Sequence, residues 1–329
     1  MRAVIFGCSG PDLTDAEASL FREADPWGFI LFARNIESPD QVLRLTSSLR
    51  DAVNREAPIL VDQEGGRVQR LTSPNWRTWL PPLEQAELGA AAMELRYRII
   101  AAELRAVGID VNCAPCLDVA TDATHPFLRN RCLGTEPEAV ARLGRAVADG
   151  LLSNGVLPVI KHMPGHGRAV VDSHTAPPLV DAPLSELSAV DFAPFKALSD
   201  LPLGMTGHMI FDALDPGVPT TLSSTMIDTL RRDIGFDGLL MTDDLAMEAL
   251  SGDVTTRAQS ALAAGCDLAL HCNGHMDEME RLAADIGPLT EAARTRSERA
   301  LALRRPLKKI DLSALDAEFA ALMEGTSLG

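Results

Sequence analysis

Apolar residues in this chain gather into short runs, each followed by a stretch with helical spacing. The runs are Ala3 to Cys8, Gly28 to Phe32, Pro58 to Val61, Ile109 to Cys113, Val156 to Ile160, Leu203 to Thr206, Gly238 to Thr242 and Asp267 to His271. Their length and lack of alternation suit strands covered on both faces. Helix signals fill the gaps. Thr14 with Glu17 three residues on makes a capping box, and Ser38-Pro39 opens an amphipathic stretch to Leu49. Further helical segments read as Leu83 to Ala106, Pro137 to Leu152, Pro183 to Leu198, Ser223 to Asp233 and Arg257 to Ala264, and the chain after the eighth run reads as helical to its end. Strands alternating with helices predict a parallel sheet. Eight such units predict one α/β domain over residues 1–329, a single (β/α)8 TIM barrel. A doubly wound open sheet would carry a Gly-rich phosphate turn after its first strand, and Gly7-Cys8-Ser9-Gly10 is not that turn.

In a barrel of this kind the chemistry sits at the C-terminal ends of the strands. Those ends read Asp62-Gln63-Glu64, Lys161-His162, His208, Asp243-Asp244 and His271. Any one of them could cap a helix or start a turn. Five together point to a site. The segment Lys161 to His174 is the richest, with three of the chain's seven histidines, punctuated by Pro164, Gly165 and Gly167. His162 and His166 are four apart, a metal spacing on a helix, but Pro164 and Gly165 exclude a helix there. No metal site is expected here. Asp172 beside His174 would raise the imidazole's proton affinity and make it a general acid near neutral pH. Asp243, ending a buried strand, is a candidate nucleophile or charge stabiliser. An acid on one side of a bond and a carboxylate on the other suits retaining glycoside hydrolysis, with a histidine in place of the usual second carboxylate.

Charge and composition narrow the partners. A net charge of -16 argues against nucleic acid and anionic membranes, and no run approaches the ~20 apolar residues of a bilayer span. A cytoplasmic location is expected, where the six cysteines stay free thiols. Cys113-Ala-Pro-Cys116 has redox spacing but ends a strand rather than opening a helix.

At these residues the chain resembles the bacterial beta-N-acetylhexosaminidases of glycoside hydrolase family 3, the single-barrel enzymes of peptidoglycan recycling. The resemblance rests on residues 61–70 (VDQEGGRVQR), 114–119 (APCLDV), 161–167 (KHMPGHG), 172–174 (DSH), 235–238 (GFDG) and 243–247 (DDLAM), in family order. Met163 stands where an aromatic is common, and Thr242 where a serine is usual. The resemblance implies that Asp243 is the nucleophile of a covalent glycosyl-enzyme, His174 the acid/base and Asp172 its partner. It implies substrate binding by Asp62, Arg70, Arg131, Lys161 and His162. The implied substrate is a small carbohydrate or muropeptide bearing a terminal N-acetylglucosamine, handled by a monomer. A phosphorylase, a beta-glucosidase or beta-xylosidase on the same barrel, a metal-dependent hydrolase using His162, His166 and His174, and a non-catalytic sugar binder are the alternatives.

Overall fold

The computed structural model describes residues 1–170, 177–305 and 311–326, with side chains as far as Leu322. Eight parallel strands close a barrel: β1 (Arg2–Gly7), β2 (Pro26–Leu31), β3 (Ile59–Val61), β4 (Val111–Asn112), β5 (Leu157–Met163), β6 (Leu203–Thr206), β7 (Leu239–Asp244) and β8 (Leu268–His271). Each strand pairs with its sequence neighbours, and β1 meets β8 through Val4 opposite Ala269 and Phe6 opposite His271. The helices are α1 (Asp15–Ala24), α2 (Pro39–Val53), α3 (Gly89–Ala106), α4 (Pro137–Ser153), α5 (Leu184–Ala189), α6 (Ala193–Ala197), α7 (Ser224–Arg232), α8 (Val254–Ala264), α9 (Met276–Asp285), α10 (Glu291–Leu301) and α11 (Leu312–Thr326). The expected (β/α)8 barrel is the observed one. No helix among the described residues is long and apolar enough to cross a membrane.

Local departures from the expected elements have physical causes. The segment Leu83 to Ala106 divides into Pro82–Ala86 and α3, with Gly89 at φ +83° between them. Pro183 to Leu198 divides into α5 and α6, because Pro194 tolerates only a first helical turn. β4 is short because Pro115, lacking an N–H, interrupts its ladder, and the Ala114 N–H turns back to the Asn112 carbonyl at 2.8 Å. β5 runs three residues further than Ile160, so Lys161 and His162 lie on the strand rather than in the loop after it.

Two buried aspartates tie the strand starts to the outer helices. Asp110, just before β4, accepts the Ile59 N–H of β3 at 2.8 Å and takes Arg50 of α2 at 3.1 Å and Arg304 at 2.7 Å. Asp267, just before β8, repeats the device with the Leu240 N–H of β7 at 2.9 Å, Arg231 of α7 at 2.7 Å and Arg296 of α10 at 3.0 Å. Each carboxylate fills its acceptor sites with charged donors, the arrangement that makes a buried charge tolerable. The six cysteines are all free and buried.

α11 packs on α3. Arg77 reaches Asp316 at 2.7 Å, and Trp79 meets Phe319 edge-on with centroids 5.4 Å apart. Glu103 of α3 lies beneath this contact, with one carboxylate oxygen buried and without a hydrogen-bond partner. Burial, opposed by Arg77 and helped by Asp316, pushes its pKa up to about 7. The folded chain thus holds this proton more tightly than the unfolded one, and stability falls as pH rises from about 4.5 to about 7. Glu103→Gln should melt a few degrees above the parent at pH 8 and level with it at pH 4.5 in scanning calorimetry. An unaltered pH slope in the variant would sink this assignment.

Candidate active site

The site begins where β3 ends. After Asp62 the chain makes a small hairpin, Gln63–Gly65 against Val68–Gln69, turning through Gly65 at φ +103° and Gly66 at φ +58°. A Cβ on Gly65 would overlap the Arg96 guanidinium, which donates to the Glu64 carbonyl at 2.6 Å. The Gln63 amide anchors the far side of the hairpin. Its oxygen accepts the N–H groups of Arg70 and Leu71 at 2.9 and 3.0 Å, and its nitrogen donates to the Leu71 carbonyl at 2.8 Å. Arg70 is thereby carried back to Asp62, with Nη2 3.1 Å from Oδ2.

Lys161, 2% exposed on β5, points into the same corner. Its Nζ lies 2.8 Å from Asp62 Oδ1 and 2.6 Å from Glu64 Oε1. Arg131 forks onto Glu64, Nε to Oε2 at 3.0 Å and Nη2 to Oε1 at 2.8 Å. Two carboxylates therefore face three cations, counting Arg70. Burial pushes Asp62 and Glu64 up, but Lys161 and Arg70 on the first, and Arg131 and Lys161 on the second, outweigh it and hold both below the usual carboxylate range. Burial likewise opposes the Lys161 charge, and Asp62 and Glu64 reverse that and lift its pKa. The corner is fully ionised, with a net positive charge at the mouth of a net negative protein.

A second carboxylate organises the histidines. Asp118 Oδ1 accepts the backbone N–H groups of His162 at 3.2 Å and His166 at 2.7 Å. Its Oδ2 meets His162 Nδ1 at 2.7 Å and the Cys116 thiol at 3.1 Å. Arg131 Nη2 stands 3.4 Å from His162 Nε2, which leaves the ring proton on Nδ1, facing Asp118. Cys116, Asp118 and His162 lie within 4.8 Å of one another and form the one group of metal-compatible spacing among the described residues. The hydrogen bonds already occupy that sulfur, oxygen and nitrogen, and a metal on Nδ1 would force the proton onto Nε2, against the Arg131 donor. The residues fit a positioning cluster better than a metal centre.

At the end of β7 two neighbouring carboxylates differ. Asp244 Oδ1 accepts the N–H groups of Ala246 at 3.0 Å and Cys272 at 3.2 Å, so it staples a turn. Asp243 accepts the Asp244 N–H at 2.8 Å and otherwise faces the pocket. Burial pushes Asp243 up, yet His162, His208, the Asp244 N–H and Lys161 outweigh it and hold the carboxyl low. Burial raises Asp244, with Asp243 adding to the shift. His208 is fixed behind them, its Nδ1 2.7 Å from the Thr221 hydroxyl and its Nε2 3.1 Å from the Asp244 carbonyl.

Asp62, Arg70, Arg131, Lys161, His162 and Asp243 all line one pocket, as sequence reasoning grouped them. Asp172 and His174 lie outside the described residues. His271, read as a strand end, is wholly buried at the foot of the pocket wall, against Phe6 and 3.3 Å from Glu278, and does not line it. Sequence reasoning assigned no role to Asp118, Phe32 or Phe127, and gave His166 only as a ligand of the alternative metal-dependent hydrolase. Phe32 and Phe127 line the pocket and carry the guanidiniums of Arg70 and Arg131 at 5.3 and 5.6 Å from their centroids. Phe32 closes an apolar run and carried no polar signal; Asp118 was visible as an acid three residues after Pro115.

Comparison with known proteins gives this geometry a family. The family model described as "Glycosyl hydrolase family 3 N terminal domain" matches residues 12–302. The chain belongs to glycosyl hydrolase family 3. A family 3 barrel with this pocket is a glycoside hydrolase. A beta-hexosaminidase of Methylococcus capsulatus is 40% identical over 278 residues, covering 82% of this chain and 82% of that protein. One from Bordetella avium is 38% identical over 285 residues, covering 82% and 80%. Among solved structures, NagZ from Neisseria gonorrhoeae in complex with N-trifluoroacetyl-D-glucosamine superposes with a TM-score of 0.86 at 31% identity, covering 98% of each chain. A family 3 beta-N-acetylglucosaminidase from Paenibacillus gives 0.83 at 34% identity, with 95% of this chain spanning 62% of that one.

The ionised corner of the family 3 barrel makes a stability prediction. Lys161→Met removes the cation that Asp62 and Glu64 share while Arg70 and Arg131 stay paired with them, and should cost about 1.5–3 kcal/mol in urea unfolding. The loss in Lys161→Met/Glu64→Gln should be smaller than the sum of the two single losses, because both variants break the same ion pair. Strictly additive losses would overturn the account of the network.

Proposed function

We propose that this glycoside hydrolase is a retaining exo-beta-N-acetylglucosaminidase that removes terminal non-reducing N-acetylglucosamine from muropeptides, including anhydro-muropeptides, in peptidoglycan recycling. The observation that carries the reading is the Asp243 carboxylate, half-buried yet held ionised in a pocket whose other polar groups are arranged to bind rather than react. In the first step an Asp243 oxygen bonds to the anomeric carbon while the glycosidic bond breaks. His174, charged through Asp172, gives its proton to the leaving oxygen. In the second step His174 takes a proton from water, water bonds to the anomeric carbon, and the ester to Asp243 breaks.

Binding falls to the ionised corner. Asp62 keeps lone pairs beyond those that Lys161 and Arg70 use, and those acceptors suit sugar hydroxyls, while Glu64 holds Lys161 and Arg131 in place. Lys161, Arg70 and Arg131 donate to the same ring, and His162 Nε2, held by Asp118, faces it. Charged groups already fixed by each other lose little freedom on binding. The relatives support the choice of sugar: the Neisseria structure holds N-trifluoroacetyl-D-glucosamine, and the Paenibacillus protein is named for N-acetylglucosamine. No organic cofactor enters either step. We further propose that the protein acts as a monomer in the cytoplasm.

Hydrolysis of an aryl beta-N-acetylglucosaminide and of the matching aryl beta-glucoside, each with and without phosphate and chelator, tests the reaction. Release from the N-acetyl substrate, indifferent to both additives, is expected. Sugar 1-phosphate formation would replace hydrolase by phosphorylase. Asp243→Asn should lower kcat by at least about a thousandfold with the fold retained, as expected for loss of a covalent nucleophile. His174→Ala should lose far less on substrates with good leaving groups, which need no proton. Normal turnover by Asp243→Asn would end the nucleophile assignment.

A further inference from the structure

His166 has no role in the chemistry above, and its surroundings do not explain it. The residue is 5% exposed and lines the pocket with Asp243, Lys161 and His162. Neither ring nitrogen has a hydrogen-bond partner among the described residues. A buried imidazole with both nitrogens unpaired is costly and uncommon, because it loses solvation and gains nothing in return.

The ring is also held where it is. Its backbone N–H donates to Asp118 Oδ1 at 2.7 Å, and its edge stands against the His162 ring with centroids 5.4 Å apart at 83°. On one side Gly165 has φ +141°, a conformation that disfavours other residues. On the other, Gly167 lies so close to Val119 that a Cβ would sit 1.9 Å from the Val119 carbonyl oxygen. The chain through 165–167 is clamped to the segment that carries Asp118. Packing alone would be served by a phenyl ring of the same shape. An imidazole here adds only hydrogen-bonding capacity that the protein leaves unused.

We infer that His166 is a further sugar-binding residue, one of whose ring nitrogens pairs with a hydroxyl or the acetamido amide of the bound sugar. The inference rests on the glycosidase reading for the nature of the ligand. Burial, with His162 adding to it, pushes the His166 pKa down to about 3, so the ring is neutral at working pH and offers one N–H and one lone pair. Asp118 acts as a positioning residue for both histidines, holding His162 through its side chain and His166 through its backbone.

His166→Phe keeps the ring and removes both nitrogens. In the full chain it should leave the melting temperature unchanged, lower kcat/KM for the aryl N-acetylglucosaminide on the order of 10- to 100-fold and weaken inhibition by free N-acetylglucosamine to match. Comparing inhibition by N-acetylglucosamine and by glucose separates the two partners: a loss for both assigns a hydroxyl, and a loss for the N-acetyl sugar alone assigns the amide. A folded His166→Phe with parental kcat/KM and inhibition would make the ring a packing element and overturn the inference. If the variant does not fold, the parent protein decides. Adding N-acetylglucosamine should shift the His166 ring ¹⁵N resonances, and unmoved resonances at saturation would overturn the inference. Failure of the parent to cleave either aryl glycoside would strike the glycosidase reading, while the sugar-binding and NMR measurements would still judge His166.

Discussion

The mouth of this barrel is built around one constraint, the burial of the Lys161 ammonium. An isolated ammonium at 2% exposure would lose its proton rather than stay charged. Two carboxylates keep it charged, and both come from the same short stretch after β3. That stretch must then be held in shape, which explains the Gln63 anchor, the glycine turn and the arginine from α3 on the Glu64 carbonyl. Arg131 follows from the same logic, since Glu64 beside Asp62 carries a charge too many without it. A surface pair of the same geometry is worth about 0–1 kcal/mol. Here Lys161, Glu64 and Arg131 are buried, so each pairing among them counts for more than it would at the surface.

The carboxylates beyond this corner divide into two that hold the chain in shape and one that faces the pocket. Asp118 and Asp244 spend their acceptor sites on backbone N–H groups and neighbouring side chains. Asp243 keeps most of its own for the pocket. Two aspartates adjacent in sequence thus shift in opposite directions: burial raises Asp244, with Asp243 adding to it, whereas the positive groups around Asp243 outweigh its burial.

Much of this could be read from the residues in order. All eight apolar runs became strands, because continuous burial leaves a plain signal. The strand-end polar residues gathered into one pocket because a closed parallel barrel brings those ends together. What the order of residues did not convey was pairing. Glu64 and Arg131 are far apart in sequence, and their fork depends on where the loop after β4 lands. Asp118 looked like one acid among many until the chain placed His162 and His166 on its two oxygens. Lys161 and His162 were taken for loop residues because charge usually ends a buried strand. Here ion pairing and Asp118 let the strand continue through them.

The six thiols, spread from Cys8 beside β1 to Cys272 beyond β8, turn the barrel into its own chemical clock. Burial pushes Cys8 and Cys266 up to about 12, and raises Cys113, Cys116 and Cys272 as well, which suppresses the reactive thiolate. An alkylating reagent therefore reaches them only during openings of the surrounding structure. Cys116 touches the carboxylate that orients the histidines, whereas Cys266 lies at the opposite end of the barrel, before β8. Their separate labelling rates would time the breathing of the catalytic mouth against that of the base, with no probe added to the chain.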